Sequence, residues 1–338
     1  MSAADNDRDK LETSFTTRRA TELELSPVRG QFDVGHLKEI NRRLFQDLPK
    51  AGFDDVKPGE FRPPAPEGKD WVKNRGLATV AGSFYVAYSS MNTNDHERLN
   101  KVLEGAVPDK LRGLKTEEFT ATIGRLYAEL DYVHPFSDGN SRTLRTFTKQ
   151  LATEAGYDLD WSRFNKNDAG RDYLYIARDR SVNELAMPHI KDDDTMRKVV
   201  STLDRIEGNP DLPTLLRDAV RPTRAVEFDR STKADEAEVL KKHPELKEAF
   251  RTVRSAADYF EAKISGDAKG QQEALQQVRK QVVDRLNKGE TSGFGAAPDQ
   301  PQKSEAAPVK TVSQPQKSEA APVKTVEAKR PGRDTERN

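Results

Sequence analysis

The chain has 338 residues, 56 basic and 56 acidic, with no cysteine, 34% hydrophobic and 33% charged residues. Zero formal net charge removes the electrostatic case for non-specific binding to nucleic acid or an anionic membrane. The missing cysteine excludes disulfides, thiolate zinc sites and cysteine nucleophiles. Residues 1–19 lack the apolar segment of a secretory signal, and no run approaches the roughly 18 apolar residues of a membrane span. The expected compartment is the cytoplasm. A signal read by a specialised secretion machine would leave no mark of this kind.

Residues 1–25 are charged and weakly patterned, so they read as an arm or one marginal helix. From Phe32 the apolar residues Val34, Leu37, Ile40, Leu44 and Leu48 recur at helical spacing, with Asp33 placed to cap. Residues 49–69, rich in Pro, Gly and Asp, predict a loop, and residues 78–88, around Ala81-Gly82-Ser83, a short hairpin. Helices are predicted over 92–104 and 116–133, the second with a Phe119, Ile123, Leu126, Tyr127 and Leu130 stripe. After a break at His134-Pro135, a helix over 140–155 ends before Gly156, and two more cover 168–185 and 192–206. Prolines at 210, 213 and 222 mark residues 208–233 as a linker, and 234–290 form an accessory helical hairpin. In the tail, 291–338, a thirteen-residue unit beginning at Gln300 recurs from Gln314. Its Pro, Lys, Glu and Ala content cannot bury enough apolar surface to offset ordering entropy, so disorder is expected.

The chemistry concentrates in His134-Pro-Phe-Ser-Asp138-Gly139-Asn140-Ser141-Arg142-Thr-Leu-Arg145. A glycine loop leading into a helix N-terminus is an anion site, because free N–H groups and the helix dipole point at it. Arg142 and Arg145 share one face of that helix and suit a polyphosphate. Asp138 offers oxygen to a Mg²⁺ on phosphates, and His134 is a base that titrates near neutrality. Together they make a kit for moving a phosphorus group onto a hydroxyl.

This stretch resembles the Fic motif, His-x-Phe-x-(Asp/Glu)-Gly-Asn-Gly-Arg-x-x-Arg, at His134, Phe136, Asp138, Gly139, Asn140, Arg142 and Arg145. The run from Gly30 to Ile40 and Leu44-Phe45-Gln-Asp-Leu also look like the opening of Fic domains, so the resemblance covers about 26–207. It implies a mainly α Fic fold: a helical bundle with a β-hairpin flap, here with an accessory helical hairpin and a disordered tail. It also implies a protein adenylyltransferase that moves AMP from ATP to a Ser, Thr or Tyr hydroxyl of a target protein. In that resemblance His134 deprotonates the hydroxyl and Asp138 holds Mg²⁺ on the α- and β-phosphates. Gly139 and Asn140 form the anion hole, Arg142 meets the β- and γ-phosphates, and Arg145 assists at the γ-phosphate. Phe136 packs in the core. Flap residues Ser83, Phe84, Tyr85 and Val86 pair with the target main chain.

The sequence departs from the motif at Ser141, where the pattern has Gly; a side chain there is expected to intrude on the phosphate-facing loop, although serine is small and can donate a hydrogen bond. In the Doc branch that position is Lys and phosphate is transferred, so transfer of phosphate or another nucleotide is the alternative activity. A catalytically inactive Fic-fold binding module is the other. No Glu followed by Gly or Asn has Ser or Thr four residues earlier, the pattern of the family's inhibitory helix. Inhibition is therefore expected from a separate small antitoxin-like protein engaging Arg145. His36, His96, His189 and His243 are isolated and read as structural or exposed, and Trp71 and Trp161 as packing residues.

Overall fold

The computed structural model describes residues 3–294. In chain order the helices are α1 (Ala3–Leu25), α2 (Val34–Phe45), α3 (Thr93–Leu103), α4 (Pro108–Leu111), α5 (Thr116–Val133), α6 (Asn140–Glu154) and α7 (Asp168–Ala186). Then come α8 (Asp193–Arg205), α9 (Leu212–Leu215), α10 (Thr223–Arg230), α11 (Glu236–Lys242), α12 (Lys247–Lys263) and α13 (Ala268–Asn287). The strands are β1 (Trp71–Gly76), β2 (Ser83–Tyr88), β3 (Tyr157–Leu159) and β4 (Val220–Pro222). The fold is therefore mainly helical with a small antiparallel hairpin.

Helix starts follow local chemistry. The Asp33 carboxylate accepts from His36 N at 2.9 Å ahead of α2. Asn92 and Asp95 satisfy each other's main chain ahead of α3. Glu118 reaches back to Lys115 N at 3.1 Å at the start of α5. The predicted helices of residues 92–206 appear within a few residues of their expected ends. The apolar stripe of α5, with Phe119, Ile123, Tyr127 and Leu130 essentially inaccessible, forms the centre of the main core. Around it pack α3, α6, α7 and α9; α2 lies on α6, and α1 on α2.

Four expectations change. Ala3–Leu25, read as an arm or a marginal helix, is a docked helix, with Leu23 in the core and Arg19 bonded to both Asp47 oxygens at 2.6 and 2.8 Å. The hairpin begins earlier than residue 78: β1 pairs with β2 from Trp71↔Tyr88 to Gly76↔Ser83, and 77–82 is its loop. The strand was hidden because Lys73, Asn74 and Arg75 interrupt its apolar pattern. Residues 208–233 are a packed seam. Leu212, Leu216, Ala219 and Val220 are buried in the main core, and β4 pairs with β3. Apolar residues between the prolines outweigh the turn signal. Residues 234–287 carry three helices. α12 and α13 pack together around Phe250, Val282 and Leu286, and residues through 294 cluster as one unit. Thr116 Oγ1 donates to Asn287 O at 2.7 Å. The repeat-bearing tail lies outside the described residues.

Among the described residues no helix is long and apolar enough to cross a membrane.

The end of α5 is held by one buried cation. Arg62 is 2% exposed; its Nε donates to His134 O at 2.7 Å and its Nη2 to Ser89 O at 2.6 Å and Val133 O at 3.3 Å. Its main-chain N–H donates to Pro135 O at 2.9 Å, and the guanidinium lies 4.2 Å above the Trp71 ring. Burial pulls its pKa down to about 10. The carbonyls at the negative end of α5 take the place of a carboxylate. Replacing Arg62 by Ala strands these carbonyls. We expect about 2–4 kcal/mol lower stability by denaturant unfolding, and unchanged stability would contradict the clamp.

Candidate active site

Helices α5 and α6 meet at the loop of residues 134–139. His134 caps α5 in a left-handed conformation, φ 48°, ψ 58°, which for a residue with a side chain costs of order 1–3 kcal/mol. Arg62 holds its carbonyl, and Ser89 holds the turn before it: Ser89 N donates to Tyr132 O and Ser89 Oγ to Val133 O. Phe136 is buried against Phe61, ring centres 5.4 Å apart. Gly139 has φ 73°, and a Cβ there would lie 2.0 Å from the Phe45 ring. Only glycine fits both the backbone and the packing.

The Asn140 side chain closes this loop. Its Nδ2 donates to Phe136 O at 2.6 Å and its Oδ1 accepts from Phe136 N at 3.0 Å. Asn140 is 3% exposed, so its side chain is spent on loop shape and not on the anion hole. What α6 presents at its N-terminus is the main chain of Asn140, Ser141 and Arg142, whose N–H groups precede the first intrahelical bond, Thr143 N to Gly139 O.

Above this terminus lies an open cavity of about 470 Å³, lined by His134 and by Lys73, Arg75, Arg142, Arg145 and Arg178. Gly139, Asn140 and Ser141 also line it, while Asp138 sits beside it, exposed on the loop. Burial lowers the pKa of the Lys73 ammonium, and the charge of Asp138 opposes that shift, so Asp138 still acts on the cavity. The five cations converge there against one lining carboxylate, Glu12. Arg145 donates through Nε to Ser141 O at 3.2 Å. Burial and neighbouring cations hold its pKa down. Ser141 lines the cavity, and its hydroxyl accepts from Arg178 Nη1 at 3.1 Å.

His134 is buried with its ring tilted against that of Tyr88, ring centres 3.9 Å apart. Its Nε2 meets Lys73 Nζ at 3.1 Å, and its Nδ1 faces Asp131 Oδ1 at 3.5 Å. Asp131 is itself paired with Arg178, both being nearly inaccessible, at 2.7 and 3.0 Å. Burial lowers the imidazole pKa to about 4, against an opposing pull from Asp131. At neutral pH the ring is therefore uncharged and able to accept a proton. Burial would raise the Asp131 carboxyl, but Arg178 and His134 outweigh it, and Asp131 is held well below its usual range. Burial also opposes the Arg178 charge, yet Asp131 keeps that pKa well above normal.

Five of these partners were not singled out from the sequence. Lys73 and Arg75 stand on β1, between the predicted loop and the predicted hairpin; Asp131 lies within the α5 pattern; Arg178 is on α7; Glu12 is on α1. Glu12 Oε1 pairs closely with Arg142 Nη2, and Thr16 Oγ1 accepts from Arg142 Nη1 at 2.8 Å. A carboxylate thus sits on a motif arginine. Thr13 follows Glu12, so this carboxylate lies outside the pattern of Glu followed by Gly or Asn.

The flap also differs. Phe84 and Val86 are buried. Tyr85 N donates to Thr202 Oγ1 at 2.9 Å, Tyr85 O accepts from Asn183 at 2.9 Å, and Ala87 N donates to Asn183 at 3.0 Å. Side chains of α7 and α8 already occupy the outer edge of β2, so residues 83–86 cannot offer it to a target. By alternation, β1 turns the main-chain groups of Val72, Asn74 and Gly76 to the other edge.

Residues 31–152 match the model of the Fic/DOC family. A protein adenylyltransferase, VbhT, of Bartonella schoenbuchensis is 30% identical over 165 residues, 48% of this chain and 30% of that protein. A protein adenylyltransferase of Bartonella henselae is 30% identical over 136 residues, 40% of this chain and 24% of that protein. The chain thus spans less than a third of the length of these two curated relatives. Among solved structures, the BepC effector of Bartonella tribocorum with bound AMPPNP aligns with TM-score 0.42 and 16% identity, over 64% of this chain and 88% of that one.

The depressed pKa of His134 has a measurable consequence. The unfolded chain takes up this proton near pH 6.5, the folded chain near 4. Between these values the unfolded state binds more protons, so stability falls as pH falls, by up to about 3 kcal/mol. Denaturant unfolding at pH 7 and pH 4 should show this loss in the wild type and a smaller one in His134→Gln. Equal losses would place His134 in water.

Proposed function

We propose, from the match of residues 31–152 to the Fic/DOC family model and the geometry of the site, that the chain transfers AMP from ATP to a hydroxyl side chain of a target protein. The observation that carries this reading is the uncharged His134 imidazole in a cavity where five cations converge on the N-terminus of α6.

The polyphosphate lies against the free N–H groups of α6, with Arg142 and Arg145 as its charged partners. The target hydroxyl approaches from the β1 side and displaces Lys73 from His134 Nε2. Its oxygen attacks the α-phosphorus as its proton passes to Nε2. The bond from the α-phosphorus to the bridging oxygen breaks, and pyrophosphate leaves. The products are AMP–protein and pyrophosphate. Mg²⁺ fits the donor set: one exposed carboxylate, Asp138, beside the phosphate loop suits an ion that takes most of its ligands from phosphates and water. Bound there, it would neutralise developing phosphate charge. The target's main chain would add to the open edge of β1.

Two features favour AMP over phosphate transfer. The Ser141 hydroxyl is held by Arg178, and no lysine stands at that position. His134 placed in the cavity favours an enzyme over an inert binding module. Arg142 is released for phosphate only when Glu12 yields it, whereas no carboxylate pairs with Arg145 among the described residues. Arg145 is the position left for an acidic residue of a separate antitoxin-like inhibitor.

ATP labelled at the α-phosphate should label a protein in lysate, and intact mass should show addition of AMP. Label transferred only from the γ-phosphate would contradict the reading. His134→Ala should lower transfer about 10²–10⁴-fold with ATP binding retained. Glu12→Gln should tighten ATP binding by about two- to fivefold, as expected for a partly exposed ion pair. Isothermal titration calorimetry checks both, and weaker binding by Glu12→Gln would reverse the competition inferred here.

A further inference from the structure

The buried groups behind His134 are not accounted for by nucleotide binding. Asp131 Oδ1 and His134 Nδ1 are both shielded from solvent, and neither has a hydrogen-bond partner. They face each other at 3.5 Å, longer than a formed hydrogen bond. On the other side of the ring, the Lys73 ammonium, which can only donate, meets Nε2 at 3.1 Å. Nε2 is then the acceptor, and the ring proton sits on Nδ1, aimed at Asp131. The second oxygen of Asp131 is gripped by Arg178 Nε and Nη2 at 3.0 and 2.7 Å. The remaining arm of the same guanidinium, Nη1, reaches Ser141 Oγ at 3.1 Å, in the first turn of the phosphate-binding helix. Arg178 is 2% exposed, and its ring neighbours Tyr127 and Tyr175 lie 5.5 and 5.6 Å from its centre.

We propose that Asp131 and Arg178 are positioning residues: Asp131 fixes the Nδ1–H form of His134, and Arg178 ties that carboxylate to Ser141 so that the base and the phosphate loop move as one body. This rests on the adenylyl-transfer reading for its catalytic consequence, but not for its geometry. As the hydroxyl proton arrives at Nε2, the ring becomes cationic and the contact from Nδ1–H to Asp131 shortens into a charge-assisted hydrogen bond. Such contacts are commonly long before substrate binds. The bond forms only as the transition state is reached, so it lowers the barrier and leaves ground-state ATP binding alone. Ser141 has a function in this arrangement that glycine could not supply: it is the acceptor through which the guanidinium reads the position of α6.

The test has two independent arms on the full chain. In the first, ¹⁵N NMR of the imidazole in wild type at neutral pH should show Nδ1 protonated and Nε2 unprotonated. A ring protonated at Nε2 overturns the proposal, whatever the activity. In the second, Asp131→Asn and Arg178→Lys are compared with wild type for kcat, KM for ATP, and ADP binding. Asp131→Asn keeps the size of the side chain and removes its charge. It should lower kcat about 10²–10⁴-fold at unchanged KM and ADP affinity, with the Nδ1–H signal shifted or lost. Arg178→Lys cannot bridge Asp131 and Ser141 together and should lower kcat in the same direction. Wild-type kcat in a folded Asp131→Asn overturns the proposal while the adenylyl-transfer reading stands. Absence of any AMP transfer by wild type overturns that reading, and the NMR arm still decides the geometry. Should Asp131→Asn fail to fold, the wild-type tautomer and Arg178→Lys carry the test.

Discussion

The constraint on which the site depends is the clamp at the C-terminal end of α5. A helix end exposes carbonyls, and here three carbonyls, of Ser89, Val133 and His134, are collected by the buried guanidinium of Arg62. With those groups satisfied, His134 can be held at a positive φ that its side chain disfavours. The turn then drives Phe136 into the core and brings the chain to Gly139 against Phe45. The Asn140 side chain locks the loop from the other side. The imidazole and the start of α6 are thus fixed relative to each other before any ligand arrives, which is what pre-organised catalysis requires.

Charge in the cavity is arranged in two tiers. Arg75, Arg142 and Arg178 are each paired with a carboxylate, Asp179, Glu12 and Asp131 respectively. Among the described residues, the Lys73 side chain bonds to His134 Nε2 and that of Arg145 to the Ser141 carbonyl, with no carboxylate paired to either. The paired cations set geometry, and the less compensated ones favour an anion. Desolvation is what makes this useful. It keeps His134 uncharged, so the base survives beside cations that would repel an imidazolium. The same burial makes Asp131, held ionised by Arg178, the natural counter-charge when the ring does gain a proton.

Much of the site was legible because its central residues are contiguous. The 3.6-residue stripe of α5, the glycine at 139 and the two arginines one turn apart on α6 define a helix, loop and helix from local rules alone. What was not legible came from distant segments. Arg62 acts on a carbonyl 72 positions away, Lys73 on a ring 61 away, Arg178 on a carboxylate 47 away and Glu12 on a guanidinium 130 away. No periodicity reports such pairs. One difference had a local cause. Residues 83–86 have strand character, but their edge is already taken by Asn183 and Thr202.

The most direct measurement is a crystal structure of the full chain with a non-hydrolysable ATP analogue and Mg²⁺. The phosphates should occupy the cavity over the N–H groups of residues 140–142, with Arg145 on the terminal phosphate, Glu12 displaced from Arg142, and the α-phosphorus facing His134 Nε2. An analogue bound elsewhere, with Lys73 still on His134 and Glu12 still on Arg142, would contradict the mechanism.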